Sequence, residues 1–222
     1  MNDRPRVLVV DDEPQILRAL RIILREAGFE VTAASTAEEA LDQAALKPPR
    51  AAIIDLVLPD RDGVEVTREL RAWTQIPIIV LSAVGEEDEK VRALAAGADD
   101  YVTKPFGPRE LVARLEAALR RAAPGTAEPV IEADGLRLDL AAHTVAVDGT
   151  GVHLTPIEFN LLAAMASRRG RLLTHRTLLV EVWGPEYADD VQVLRVHMSN
   201  LRRKIGARYI HTDPGVGYRF AA

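Results

Sequence analysis

The sequence predicts a doubly wound α/β domain followed by a smaller α+β domain, on three observations. Short apolar runs bounded by turn residues alternate with helix-period segments over residues 1–121, the pattern of a parallel sheet covered on both faces. Polar residues of distinctive chemistry stand directly after those runs. From residue 130 the pattern changes to short β segments separated by Asp-Gly pairs, then helices and a final hairpin, as a separate domain would show.

The totals agree with this division. A chain of 222 residues suits two domains at roughly 100–200 residues each, and 48% hydrophobic residues is ordinary for a globular protein. No apolar stretch approaches the roughly 18 residues of a membrane span, and the opening MNDRPRVLVVDDE does not read as a signal peptide. The absence of cysteine excludes disulfides, thiolate metal sites and cysteine nucleophiles. A soluble cytoplasmic protein with no membrane insertion is expected. Residues 1–121 carry 17 Lys+Arg against 22 Asp+Glu, and residues 122–222 carry 11 against 11. The positive charge of the second part is bunched at Arg168, Arg169 and Arg171 and at Arg202, Arg203 and Lys204; such patches matter more to nucleic acid than the total does.

Residues 7–10 form the first expected strand, ending at Asp11, Asp12 and Glu13 before Pro14. Proline suits the first turn of a helix and acidic residues favour its positive end. Ile16, Leu17, Leu20, Ile23, Leu24 and Ala27 then share one helical stripe, stopped at Gly28. Residues 29–33 give a second strand, and Ser35 or Thr36 caps a helix through Ala44. Residues 51–54 are the third strand, followed by a helix over 64–73. Residues 78–81 are the fourth strand, ending at Ser82, with a helix over 86–96 stopped by Gly97. Asp100–Thr103 is a short fifth strand, ending at Lys104, and residues 109–121 are helical. Residues 122–129, AAPGTAEP, have a linker's composition. The expected domains are therefore 1–121 and 130–222. In the second, β patterns fall at 130–131, 136–140, Thr144–Val147 and 152–154. Thr155, Pro156 and Glu158 open a helix with a capping box, its apolar stripe being Phe159, Leu162, Ala163 and Ala166. His175–Val182 is a second helix. Residues 190–205 make a third, about 24 Å long, enough to lie in a major groove. Its core stripe is Leu194, Met198, Leu201 and Ile205, with Gln192, Arg195, Ser199, Asn200, Arg202 and Arg203 on the other faces. Residues 209–220 read as a hairpin.

In such a sheet the carboxyl ends of the strands share one rim, where open α/β sheets place their ligands. Asp11, Asp12, Asp55, Ser82 and Lys104 all fall there. Singly, each has an ordinary explanation: an Asp-Asp pair after a strand caps helices, Asp55 starts a turn and Lys-Pro makes a loop. Together they form a set. Carboxylates crowded together repel unless a cation sits among them, and a hard oxygen-seeking ion such as Mg²⁺ fits best. Lys104 and Ser82 suit phosphoryl oxygens. Phosphoryl transfer depends mainly on positioning and charge neutralisation, which makes Asp55 a candidate nucleophile forming an aspartyl phosphate.

The runs VVDDE, IIDLVLPDRDG, PIIVLSA and GADDYVTKPF resemble the receiver domain of two-component response regulators. The resemblance implies that Asp55 is the phosphoacceptor and that Asp11, Asp12, Asp55 and the Val57 carbonyl hold Mg²⁺. It further implies that Ser82 and Lys104 contact the phosphoryl group, that Lys104-Pro105 is cis, and that Tyr101 is a rotameric switch. Lys90, Asp100, Glu110 and Arg114 match a dimer face that carries ion pairs between subunits. The runs LTPIEFNLL, VWG, LRVHMSNLRRKI and GVGYRF resemble the winged-helix DNA-binding domain of the OmpR-like subfamily. That likeness assigns Gln192, Arg195, His197, Ser199, Asn200, Arg202 and Arg203 to a recognition helix and Thr212, Pro214, Gly215 and Tyr218 to a wing. Pro214 stands where some relatives carry a minor-groove arginine, which argues against base reading by the wing. The runs KPFGPREL, VHLTPIEF and EVWGPEY are most similar to Kdp-type regulators of potassium transport, although DLVLPD stands in place of DLGLPD.

The implied protein is a transcription factor rather than an enzyme. A sensor histidine kinase would phosphorylate it, it would dimerise when phosphorylated, and it would bind tandem promoter half-sites and act on RNA polymerase, with a potassium-uptake operon as target. A winged-helix factor independent of phosphorylation is one alternative. An aspartyl-phosphate phosphatase of the haloacid-dehalogenase type is another, but it requires a second Asp two residues after the nucleophile, where this chain has Val57.

Overall fold

The computed structural model describes residues 4–83, 87–122 and 130–221. The chain divides into two compact units, Met1–Ala122 and Ala123–Ala222. Glu86, expected to open a helix, and residues 123–129 of the expected linker lie outside the described residues.

In the first unit the strands are β1 (Arg6–Val10), β2 (Glu30–Ala34), β3 (Ala51–Asp55), β4 (Ile78–Ser82) and β5 (Asp100–Thr103), and the helices are α1 (Pro14–Glu26), α2 (Ala37–Leu46), α3 (Gly63–Trp73), α4 (Glu87–Ala96) and α5 (Pro108–Arg121). The sheet is parallel, in the order β2-β1-β3-β4-β5. Every residue of β3 and β4 is buried, which is why both read as unbroken apolar runs. Alternate residues Val7, Val9, Ala51, Ile53, Ile79 and Leu81 pack with Leu20 and Leu24 of α1 and Leu111 and Leu115 of α5. The second strand starts at Glu30 rather than residue 29, because Phe29 N still bonds to the Leu24 carbonyl of α1 and pairing with β1 begins at Glu30. Gly28 and Gly97 take φ of 90° and 114°, the left-handed values that end a helix most easily at glycine.

A buried ion pair closes the edge of the sheet opposite the rim. Arg71 Nη2 donates to Asp99 Oδ2 at 2.6 Å and its Nε to the Gly97 carbonyl at 2.9 Å, while Asp99 Oδ2 also accepts from Ile78 N at 2.8 Å. These bonds tie the ends of α3 and α4 to the starts of β4 and β5.

The second unit opens with an antiparallel sheet of β6 (Val130–Ala133), β7 (Leu136–Asp139), β8 (Thr144–Val147) and β9 (Thr150–Val152). Asp134 and Asp148 at its turns have φ of 44° and 49°. The last strand lies before the expected 152–154, because the Asp148-Gly149 turn folds Thr150 back onto Val147. Helices α6 (Pro156–Ala166), α7 (His175–Val182) and α8 (Val191–Ile205) follow, with β10 (Leu172–Thr174), β11 (Ile210–Asp213) and β12 (Gly217–Phe220) forming a sheet in the order β10-β12-β11. The sequence pattern gave no sign of β10, since a strand this short is stabilised only by pairing with β12. The α6 stripe is also wider than expected: Ile157, Leu161, Ala164 and Met165 are buried along with Phe159, Leu162 and Ala166. A helix buried on most sides has no single apolar face. The capping box is complete, with Thr155 Oγ1 accepting from Glu158 N and Glu158 Oε2 from Thr155 N.

Candidate functional site

The sheet order brings the rim residues together. β3 lies between β1 and β4, so Asp55 has Asp11 and Asp12 beyond one neighbouring strand and Ser82 at the end of the other; β5 adds Lys104. One carboxylate oxygen from each of Asp11, Asp12 and Asp55 lies within 4.8 Å of the others. Asp11 and Asp55 are buried and Asp12 is exposed. Lys104 Nζ donates to Asp11 Oδ2 at 2.8 Å and to Asp55 Oδ2 at 2.9 Å, bridging the two buried carboxylates. Asp11 Oδ1 accepts from Glu13 N at 2.9 Å, orienting the group at the start of α1. The Lys104-Pro105 peptide is cis.

The charges pull against one another. Burial pushes the Asp55 carboxyl above its usual range; Lys104 offsets part of that and Asp11 adds to it. Burial draws the Lys104 ammonium down, but the hydrogen bonds it donates to Asp11 and Asp55, and their charges, outweigh that and hold the group above its ordinary value. One ammonium serves two buried carboxylates, which leaves the cluster short of positive charge. Ser82 is 1% exposed, and its Oγ has no hydrogen-bond partner among the described residues, so a buried hydroxyl is free for an incoming acceptor. The donor set is all oxygen, which fits a hard divalent cation.

Tyr101 is half-buried on β5, with Lys90 Nζ 5.0 Å from its ring centroid. Arg114 pairs with Asp100 at 3.5 Å and with Glu110 at 3.0 Å. Lys90, Asp100, Glu110 and Arg114 thus share one face of α4, β5 and α5. Asp100 is completely buried, a correction to its expected place as an exposed partner for a second subunit: Arg114 of the same chain takes that role.

The expected DNA-binding residues divide. Gln192, Arg195, Ser199 and Arg203 are exposed and recur at near-helical spacing along one face of α8. Thr212 is exposed on β11. His197, Asn200 and Tyr218 are buried, which corrects their expected place as side chains facing DNA. His197 lies three residues after Leu194 and four before Leu201, inside the core stripe, with its ring 5.5 Å from that of Trp183. Asn200 Oδ1 accepts from Arg203 Nη2 at 2.9 Å. Tyr218 lies on the central strand of its sheet; burial raises its hydroxyl's pKa against the pull of Arg202 and Arg195. Arg202 is half-buried and turned inward, Nη2 donating to the Ile210 carbonyl and to Thr212 Oγ1, both at 2.7 Å. Its guanidinium carbon lies 5.4 Å from the Tyr218 ring centroid. Two positioning groups had escaped sequence reasoning. Lys204 Nζ binds Glu158 Oε2 at 2.6 Å, fastening α8 to the α6 cap, and Asp60 Oδ1 accepts from Ala37 N at 2.9 Å. A pattern within one element cannot reveal bonds between elements, although the acidic Asp60 in an exposed loop was visible. No helix among the described residues is long and apolar enough to cross a membrane.

Comparison with known proteins accounts for both units. Residues 7–116 match the response regulator receiver domain and residues 149–220 match the transcriptional regulatory protein C-terminal domain. The chain is 52% identical to the transcriptional regulatory protein KdpE of Mycobacterium tuberculosis, over 97% of this chain and 99% of that one. It is 46% identical to the KDP operon transcriptional regulatory protein KdpE of Escherichia coli, over 96% and 98%. Among solved structures it is similar to a RitR mutant (25% identity, TM-score 0.77, 97% and 98% covered) and to the response regulator DrrB, an OmpR/PhoB homologue of Thermotoga maritima (29%, 0.54, 99% and 100%). With a receiver domain followed by a transcriptional regulatory C-terminal domain, this chain belongs to the OmpR/PhoB-type family of DNA-binding transcriptional response regulators.

Proposed function

We propose that Asp55 is the phosphoacceptor through which a sensor histidine kinase controls this regulator. The observation that carries this is the rim itself: a buried carboxylate held by Lys104, beside Asp11 and an unpartnered Ser82 hydroxyl. An Asp55 oxygen forms a bond to phosphorus as the donor's bond to that atom breaks, and the donor leaves with the electron pair. Lys104 and the Ser82 hydroxyl then donate to phosphoryl oxygens, replacing contacts to water. Asp11, Asp12, Asp55 and the Val57 carbonyl would hold Mg²⁺, which supplies positive charge against the carboxylates and the transferring group.

Phosphorylation favours a homodimer through the face of Lys90, Glu110 and Arg114, with buried Asp100 anchoring Arg114 and Tyr101 as the switch between the rim and that face. Its ion pairs set partner choice more than affinity, because an exposed pair contributes only about 0–1 kcal/mol. Two winged helices then occupy tandem promoter half-sites and engage RNA polymerase. The exposed stripe of Gln192, Arg195, Ser199 and Arg203, with Thr212 on the wing, suits contacts to base edges and phosphates. Likeness to the two KdpE proteins supports a potassium-uptake operon as the target and a cytoplasmic location. The role is regulatory; a slow self-hydrolysis of the aspartyl phosphate is the only chemistry proposed beyond transfer. Incubated with a small acyl phosphate and Mg²⁺, the wild-type chain should acquire one phosphoryl group and the Asp55→Asn variant none. Equal labelling of the variant would remove Asp55 from this role.

A further inference from the structure

The loop between β3 and α3 carries the Val57 carbonyl, and its bonds reach two neighbouring helices. Val57 and Asp62 form an isolated antiparallel bridge, and Gly63 N donates to the Leu56 carbonyl at 2.8 Å, closing the base of the loop. A Cβ on Gly63 would come within 2.0 Å of the Asp55 carbonyl oxygen, so only glycine allows the return to pass this close to the phosphoacceptor. The Asp62 carboxylate caps α3 through Val64 N at 2.8 Å and receives Arg92 Nη2 of α4 at 2.6 Å. At the tip, Asp60 places Oδ1 2.9 Å from Ala37 N and Oδ2 3.1 Å from Glu38 N, the first two amides of α2. Thr36 Oγ1 takes the third, Glu39 N, at 3.2 Å. Amides at a helix start have no partner within the helix, and here an acid from a different loop satisfies two of them, twenty-odd residues away in sequence.

This arrangement serves the loop as well as the helix. Val57 is 63% exposed, so side-chain packing does little to fix the backbone that presents its carbonyl. The two helix amides, aligned with the positive end of the α2 dipole, grip both oxygens of Asp60 and hold its carboxyl below its usual range. We infer that Asp60 is a positioning residue for the metal site: by pinning the loop tip to the amino terminus of α2, it holds the Val57 carbonyl where Mg²⁺ needs it. The inference rests on the proposal that Mg²⁺ binds at Asp11, Asp12 and Asp55. Groups that orient metal ligands without touching the metal typically account for about 10–100-fold in affinity.

The test measures Mg²⁺ binding to the full-length chain by calorimetry, with no phosphodonor, for wild type, Asp60→Ala, Asp60→Asn and Thr36→Ala. Asp60→Ala should weaken Mg²⁺ by about tenfold. Asp60→Asn keeps one acceptor oxygen, tests the same point if the alanine variant folds poorly, and should fall between. Thr36→Ala removes the other side-chain cap of α2 but leaves the loop pinned. It should lower the melting temperature comparably while binding Mg²⁺ within about twofold of wild type. If wild type binds Mg²⁺ and both Asp60 variants bind it equally well, the positioning role is overturned while the metal site stands. Equal weakening in Thr36→Ala would also overturn it, since fraying of α2 would then suffice. Failure of the wild type to bind Mg²⁺ would remove the metal site and the inference together.

Discussion

The two units treat their polar residues differently. In the receiver, Asp11, Asp12, Asp55, Ser82 and Lys104 come from sequence positions 11 to 104 and still reach one rim, with Lys104 bridging two of the carboxylates. In the winged-helix unit, the expected recognition-helix residues all lie within a few turns of one another, yet His197 and Asn200 are buried while Gln192, Arg195, Ser199 and Arg203 face outward. The difference is one of geometry. A parallel sheet delivers every strand's carboxyl end to the same rim, so position after a strand is enough to locate a residue. A helix turns each successive residue by about 100°, and whether position 197 belongs to the core or the surface depends on how wide an arc its neighbours cover.

The contrast is testable, first where the expected effect is largest. Lys104→Ala should cost about 3–5 kcal/mol at neutral pH without Mg²⁺, because Asp11 and Asp55 would be left buried without their cation; urea denaturation measures it. Burial raises the Asp55 pKa in the folded state, so the folded chain takes up that proton before the unfolded chain does. The cost should therefore shrink as pH falls through the folded Asp55 value. In wild type the Lys104 contribution has the opposite sense: it is complete below the ordinary lysine value of 10.5 and is lost as pH rises through the higher folded value. A cost independent of pH would break the account of the rim.

Two substitutions on α8 then separate its faces. His197→Ala should cost about 2 kcal/mol of stability, as a truncated core side chain does, and leave the salt dependence of DNA binding unchanged. Arg203→Ala should leave stability nearly unaltered, weaken DNA binding, and reduce the slope of log affinity against log salt by about 1, as loss of one phosphate contact does. Thermal melts and fluorescence anisotropy at several salt concentrations give both numbers. The reverse pattern would show that the faces have been exchanged. The smallest expected effect is at Thr155, where alanine removes a hydrogen bond of 3.3 Å to Glu158 N. A loss of about 1 kcal/mol is expected, with DNA affinity at low salt unaltered because the Lys204–Glu158 pair at 2.6 Å remains.

Much of this architecture was legible beforehand, for reasons that can be named. The fully buried β3 and β4 appear in the sequence as apolar runs, and Gly28 and Gly97 mark helix ends because a left-handed residue is needed there. The capping box at Thr155 is written in adjacent residues and formed as expected. By contrast, β10 is stabilised by its pairing with β12 across more than forty residues of chain, and nothing within it announces a strand.

The sequence by itself determined the strand and helix order of the receiver and the set of oxygen and ammonium groups at its rim, because each depends on local periodicity or on position after a strand, while the likeness of its motifs indicated the family. Only the tertiary structure decided that Asp100 is enclosed by Arg114, that Arg202 reaches inward to Ile210 and Thr212, and that Asp60 belongs to α2 as much as to its own loop. Those outcomes turn on which elements pack together, and a polar side chain buried by packing takes whichever partner the neighbouring backbone or charge supplies.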